Sequence, residues 1–435
     1  MSFKIENRTV MYWLINLMIF LPRSIYVAGM QSFRLPAILC LVLILLLNRF
    51  RIEMRGCIRN PFIWVYFSYV CIRFCIAGSI STGIGWIIDS IFVMYCSMES
   101  IRSLSDFKKF CNLFSSFLNI YCIFGLVECL TGFNIWATIT NTTLAGIRYG
   151  LHRSYGSFEN YMNNGTFLVL SLVLVMWSIQ NINKKKYIVT YILILLNILA
   201  TITRASIIGA VVLQCIWLLK IGILKSLKKH LKSILLALLL LVIVIQLPQV
   251  KIVTHAIMNM FLAVLDPSVA ADMASTFGGN AKGTGERLEL YKWVWESIDN
   301  KWLGAGAKTA FAYEWVTSTG RKALKWSIEN QGLAVLFKYG LLGLTLYILM
   351  MMSILYNTAK SSRFEIIGAE IGNKHQLTLS FMFISAICVY IFMGFFHAYL
   401  GEFRFFFVLI GVMSGYINAL RVSHIASDCS FWRED

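Results

Sequence analysis

The chain has 435 residues, of which 58% are hydrophobic and 14% charged, and its mean hydropathy is +0.71. Soluble domains carry about a quarter charged residues, so this balance excludes a soluble enzyme and predicts an all-α polytopic membrane protein. The net charge of +18 would suit nucleic acid, but 22 of the 39 Lys and Arg fall in alternate connections between apolar runs, which makes the charge topological and excludes that partner.

A helix needs about 20 apolar residues to cross the hydrocarbon. Apolar runs predict twelve spans, near 10–30, 35–48, 61–78, 82–99, 110–131, 162–181, 187–203, 205–222, 232–248, 331–356, 377–396 and 403–420. The second and fourth are short enough to be re-entrant instead. The basic connections put both termini in the cytoplasm. Lys4 and Arg8 precede the first run, yet no small-residue cleavage site follows and Pro22-Arg23 stands where one would lie, so it reads as a retained helix. The organisation is a bundle of about nine helices over 1–248 with an external loop near 131–161, a large external loop over 249–330, and about three helices with a cytoplasmic tail over 331–435. The eleven cysteines show no zinc spacing, and no metal or cofactor motif is present.

Candidate site residues cluster in the external connections. The first loop, RYGLHRSYGSFENYMNNG, carries Arg148, His152, Arg153, Glu159 and Asn160, with His152 read as structural. TITRAS interrupts an apolar stretch whose two flanks are both cytoplasmic, so the chain turns there and leaves Arg204 at the outer rim of the bilayer. Arg204 is then either functional or bound to lipid phosphate. In the long loop, GGNAKGTG lacks the ending of a phosphate loop and reads as a linker. It precedes ERLELYKWVWESI, a helix that starts beside Arg287, either an anion ligand or a solvated helix residue. Trp293 and Trp326 stand among five loop tryptophans, which suit the membrane interface, a core or sugar stacking. Glu329 and Asn330 stand directly against the apolar run of the tenth span. HAYLGEFRFFF places His397, Glu402 and Arg404 in a short turn, where Glu402 and Arg404 would neutralise one another. Arg73, Asp89, Glu128 and Lys338 lie inside spans, either paired within the bundle or marking a transport path.

Together these stretches resemble the O-antigen polymerase and O-antigen ligase superfamily, bacterial membrane enzymes that move lipid-linked glycans on the periplasmic face. TITRASIIGA (Thr201–Ala210) resembles the family's Arg motif. GERLELYKWVWE followed by KWLGAGAKTAF resembles the Arg-to-Trp and Gly-x-Gly signature of its long periplasmic loop. ENQGLAVLFKYGLLGL resembles the loop end and the Gly-Leu-rich helix after it, and RSYGSFENYMNNG the Arg-x-x-Gly-x-Phe segment of the earlier loop. Ligases typically carry His-Asn at the loop end. Glu329-Asn330 departs from that and favours a polymerase.

The resemblance implies a GT-C-like, metal-independent glycosyltransferase of the bacterial inner membrane with a periplasmic active site and no cofactor. Its substrate would be an oligosaccharide linked to undecaprenyl pyrophosphate. Arg204 and Arg287 would hold the pyrophosphate and Glu329 would be the base. Asn330, Arg148, Arg153, Trp293, Trp326, His397 and Arg404 would bind substrate. Membrane lipid, a chain-length regulator and a flippase are the implied partners. Two rivals stay open: a ligase that caps lipid A core, and a polysaccharide flippase or transporter.

Overall fold

The first apolar run stops earlier than its composition suggests. In the computed structural model of the chain, α1 covers Asn7–Phe20, and a small hairpin of β1 (Tyr26–Val27) and β2 (Met30–Gln31) precedes α2 (Arg34–Leu47). The predicted span to residue 30 is cut by Pro22, because proline disfavours helical backbone at the residue before it. The structure describes residues 7–27, 29–52, 54, 56–142, 146–148, 151–158, 160–182, 184–221, 284–316, 322–325, 328–369, 379–398 and 404–431. The predicted ninth span, the linker GGNAKGTG up to residue 283, Glu159, Trp326 and Glu402 lie outside the described residues.

The remaining helices follow in order. Asn60 accepts from Phe62 N and Pro61 opens α3 (Pro61–Ile76), the favoured chemistry for a helix start. α4 (Ile80–Ile87) passes through a π-helical turn (Ile88–Phe92) into α5 (Val93–Ser100), so the short fourth span is one continuous helical segment. Ser103 caps α6 (Leu104–Thr131) and left-handed Gly132 ends it. α7 (Ile135–Thr140) and a hairpin of β3 (Ile147–Arg148) and β4 (Leu151–His152) form the first loop. α8 (Tyr161–Ile182), α9 (Lys185–Ala200) and α10 (Arg204–Ile221) come next, with the chain turning at TITRAS as expected. Ile202 in that turn sits at φ 51°, a left-handed conformation that a β-branched residue adopts only under strain. The described part of the long loop holds α11 (Thr284–Glu296) and a hairpin of β5 (Tyr313–Val316) and β6 (Lys322–Lys325). α12 (Gln331–Ala369), α13 (Leu379–Gly394) and α14 (Arg404–Phe431) complete the fold.

Helices fall on eleven of the twelve predicted spans. Among the described residues, four segments, Ile80–Ser100, Leu104–Thr131, Tyr161–Ile182 and Gln331–Lys360, are long and apolar enough to cross a membrane by themselves, and five shorter apolar helices accompany them. The core is rich in aromatic side chains. Phe405 of α14 stacks on Phe114 of α6 at 5.8 Å and meets Phe167 of α8 edge-on at 4.7 Å. α14 also lies tight against α5: a Cβ on Gly415 would come 2.6 Å from the Met98 carbonyl.

The two ends of the bundle differ in chemistry. At one, Arg8 pairs with Asp106 at 2.7 Å, Arg102 with Glu99 at 2.6 Å, and Lys186 Nζ donates to Asn112 O. The other carries the ends of α6 and α9 and the starts of α8, α10, α12 and α14.

α12 is not one continuous helix. Gly340 stands at φ 69°, ψ −171°, which breaks it into two pieces. Residues of the long loop fill the break. Leu341 N donates to Lys301 O (2.8 Å), Leu342 N to Trp302 O (3.2 Å), Ala305 N to Phe337 O (2.7 Å) and Gly306 N to Lys338 O (3.2 Å). The segment Trp302–Gly306 of the Gly-x-Gly signature therefore satisfies the backbone groups that a broken helix leaves bare. The loop and α12 interlock here. Leu290 and Val294 of α11, Ile298 just beyond its end and Phe311 join Leu336 and Phe337 of α12 in a second small core.

Candidate functional site

Glu128 organises the bundle end opposite the Arg8–Asp106 pair. It is buried in the last turn of α6 and accepts from Asn134 Nδ2 (2.6 Å), Tyr155 N (3.1 Å), Gly156 N (3.0 Å) and, at 3.5 Å, Ser154 Oγ. A buried carboxylate is costly unless its oxygens are hydrogen-bonded, and these donors meet that need. The Asn134 side-chain oxygen in turn caps α7. Glu128 thereby ties the first loop to the bundle, which is a structural task and not a transport path. Gly156 stands at φ 56°, and a Cβ there would run into the Tyr121 hydroxyl. Phe158 closes the segment against Phe167, 4.9 Å away. The glycine and the phenylalanine of Arg-x-x-Gly-x-Phe therefore lock a backbone in place.

That backbone aims Arg153. Its guanidinium carbon lies 3.8 Å from the centroid of the Tyr161 ring, and its buried Nε has no hydrogen-bond partner among the described residues. No carboxylate pairs with Arg153 among the described residues. The next residue, Ser154, donates from its backbone to Ala200 O at 3.0 Å, so Arg153 borders the turn that leads to Arg204. The first turn of α10 packs on the first turn of α8, where a Cβ on Gly165 would come 2.8 Å from the Ser206 Cβ.

α13 ends against the same place. A Cβ on Gly209 of α10 would come 2.9 Å from Met393 Sδ, and His397 N folds back to Met393 O at 3.1 Å. Asn330 joins this corner to the loop end: its Oδ1 accepts from Leu333 N (3.0 Å) and caps α12, while Nδ2 donates to Phe395 O (3.4 Å). His397 is 9% exposed, and its Nε2 lies 2.7 Å from Asn163 Oδ1. Burial pushes the His397 imidazole down to about 4, with the Glu329 carboxylate acting the other way. The ring is therefore uncharged at neutral pH. With Asn163 Oδ1 as acceptor, Nε2 carries the hydrogen and Nδ1 keeps its lone pair.

Of the expected site residues, Arg153, Arg204, Glu329, Asn330 and His397 come to this one end. Asn163, which the sequence did not single out, joins them. The signal that could have found it is a pair of asparagines in the first turn of an otherwise apolar helix. Other expected residues do not join this corner. Arg404 is 3% exposed, stacks on Phe33 at 3.8 Å and donates to the carbonyls of Ile19 and Leu21 at the end of α1. It holds α1 to α14. Trp293 packs within the loop, 5.3 Å from both Phe311 and Tyr313. Arg148 falls in β3 and Arg287 in the first turn of α11, with side chains outside the described set, as is all of Trp326. A cavity of about 300 Å³ lies between α1 and α6 beneath α7, lined by Phe20, Phe117, Phe124 and Trp136; it is apolar and suits hydrocarbon, not the charged chemistry of the arginines.

Burial of the His397 imidazole ties stability to pH. Charging it in the folded state is opposed by burial, so its stabilising effect is full above the unfolded value near 6.5 and drains as pH falls towards about 4. Wild type should lose about 3 kcal/mol relative to His397→Gln across that window. Thermal melts of both proteins in detergent between pH 7 and 4.5 measure this. Parallel melting curves across the window would refute the assignment.

The fold and this corner define a class: a helical membrane protein with two arginines, a carboxylate and an uncharged histidine at one end of its bundle. Residues 189–348 match a family described as O-antigen ligase (Wzy_C). The matched segment takes in the Arg204 turn, the described part of the long loop, Glu329 and the break at Gly340, and it supports membership of the O-antigen polymerase and ligase superfamily, whose members are glycosyltransferase-like enzymes. No curated protein matches the chain.

Proposed function

We propose that the chain is an O-antigen polymerase of GT-C-like architecture. It joins repeat units carried on undecaprenyl pyrophosphate, in a bacterial inner membrane, with both termini cytoplasmic and the site periplasmic. The observation that carries this reading is that Arg153, Arg204, Glu329 and His397 come to one end of the bundle. Arg153 and Arg204, joined by Arg287 from the loop, hold the donor's pyrophosphate, since a guanidinium binds phosphate oxygens bidentately and keeps its proton. Glu329 takes the proton of the acceptor's sugar hydroxyl. That oxygen bonds to the anomeric carbon as the carbon–oxygen bond to pyrophosphate breaks, and the lipid pyrophosphate leaves with the electron pair. Asn330 and the neutral His397 position Glu329. The scheme inverts the anomeric centre. Glu329-Asn330 in place of His-Asn favours this polymerase over a ligase.

Purified protein in nanodiscs, given lipid-linked repeat units, should yield a glycan ladder with inverted linkages. Arg204→Ala, Arg287→Ala and Glu329→Gln should abolish it. Transfer to lipid A core without a ladder would move the assignment to the ligase. Labelled substrate crossing the bilayer with no new glycosidic bond would move it to a transporter.

A further inference from the structure

A second charged cluster stands apart from the site above, between α1, α2 and the π-helical turn. Arg34 opens α2 and binds Asp89 with two nitrogens, Nε to Oδ1 and Nη2 to Oδ2, both at 2.8 Å. Arg23 approaches the same carboxylate at 3.7 Å. Asp89 is nearly covered, with its side chain 5% exposed, whereas Arg23 and Arg34 are 28% and 22% exposed. Nη1 of Arg34 has no protein partner among the described residues.

The depth of this cluster is what makes it unusual. α1 and α2 have 14 residues each. At about 1.5 Å per residue they reach roughly 21 Å, against a hydrocarbon layer of about 30 Å. Their basic ends are fixed by the Arg8–Asp106 pair and by Asn48, which bonds Arg102 and Glu99. Their other ends, where Arg23 and Arg34 lie, therefore stop inside the layer. Asp89 precedes Glu99 by about three helical turns, or roughly 15 Å, which is close to mid-bilayer. Charges at that depth belong to functional sites by default, and the exposed faces of Arg23 and Arg34 must meet water, because hydrocarbon would not tolerate them.

Two local features show that the place is built. Asp89 sits in a π-helical turn, a costly irregularity that recurs at functional sites. Gly85, one turn earlier, makes room for the guanidinium: a Cβ there would come 2.6 Å from Nη2 and 2.9 Å from Nη1 of Arg34. Arg34 also stands at the positive end of α2, so its charge and the helix dipole favour the same sign of ligand.

We propose that Arg34 and Arg23, held in place by Asp89, bind a phosphate group in an aqueous vestibule that dips into the membrane. The group is either the pyrophosphate of a lipid-linked donor or the headgroup of an anionic lipid. The donor alternative rests on the polymerase reading, but the test reads binding and not product, so the two can fail separately.

The experiment uses the full chain in nanodiscs and follows the thermal midpoint. One arm titrates inorganic pyrophosphate into phosphatidylcholine discs, and the other compares these with phosphatidylglycerol discs. Arg23→Gln leaves the Arg34–Asp89 pair intact, and its ligand response is read against its own ligand-free midpoint. The double variant Arg34→Gln/Asp89→Asn removes the cluster's paired charges together and avoids stranding the buried carboxylate. Arg153 and Arg204 stay in every protein, so a change between variants reports on this cluster. Half-saturation by pyrophosphate raised about tenfold in Arg23→Gln supports a pyrophosphate ligand. Stabilisation by phosphatidylglycerol alone, lost in Arg23→Gln, supports a lipid headgroup. Wild-type response to both probes in Arg23→Gln, or no response in wild type, overturns the proposal. Should the double variant not fold, Arg23→Gln decides alone.

Discussion

Gly340→Ala should leave little or no folded protein. The residue occupies φ 69°, ψ −171°, a region that is essentially closed to side chains. A Cβ would also strike the Trp302 carbonyl and come within 2.5 Å of Gly304 N, both of them backbone groups that cannot swing aside. Strain and overpacking at such a position together cost about 3–5 kcal/mol. Total stability is about 5–15 kcal/mol for an ordinary domain, so this is a large share. The harm spreads further, because four backbone hydrogen bonds between 301–306 and 337–342 depend on the close approach. Gly304→Ala should behave alike, since its φ is 76° and its Cβ would come 2.8 Å from the Phe337 carbonyl. Size-exclusion profiles and thermal midpoints in detergent check this. A Gly340→Ala protein with the wild-type midpoint would mean that the loop and the helix break are not coupled as described.

The break also marks where the sequence stops being legible. Helices announce themselves through apolar runs, and the TITRAS turn through polar residues between two runs with basic flanks. Pro22 is visible, yet the first run continues past it in composition, so length alone extends the span beyond the Phe20 end of α1. The break at Gly340 was hidden for another reason. FKYGLLGL reads as a glycine within an apolar helix, which is tolerated, and only the loop segment that fills the gap distinguishes a kink from a helix. That pairing is tertiary and no local pattern reveals it. The same holds at the site. Arg204, Glu329 and Asn330 stood out because charge and amide groups at an apolar mouth are conspicuous. Asn163 did not, because its meaning comes from His397, which is 234 residues away along the chain. Arg404 was the reverse case: a conspicuous charge whose burial against the carbonyls of Ile19 and Leu21 gives it structural work.

Arg153 and Arg204 are expected to act on one charge. Each change to Ala should lower kcat by about 10²–10³-fold, the usual effect of removing one donor from a developing anion. Their stability effects should differ. Arg153 rests on Tyr161 and pairs with no described carboxylate, so Arg153→Ala gives up one cation–π contact, about 1 kcal/mol, and strands no buried acid. Arg153→Lys keeps the charge but lacks the planar fork and should recover only part of the rate. The double variant is the discriminating measurement. If the two arginines hold the same pyrophosphate, the group they share makes their effects interact, and the double loss departs from the product of the single losses. If they serve separate substrates, the losses multiply. A third result, full turnover in Arg153→Ala with only a lowered midpoint, would make Arg153 part of the scaffold that Glu128 pins. The anion would then rest on Arg204 and on Arg287 of the loop, and the proposal would need the loop, locked into the break at Gly340, to carry Arg287 to it.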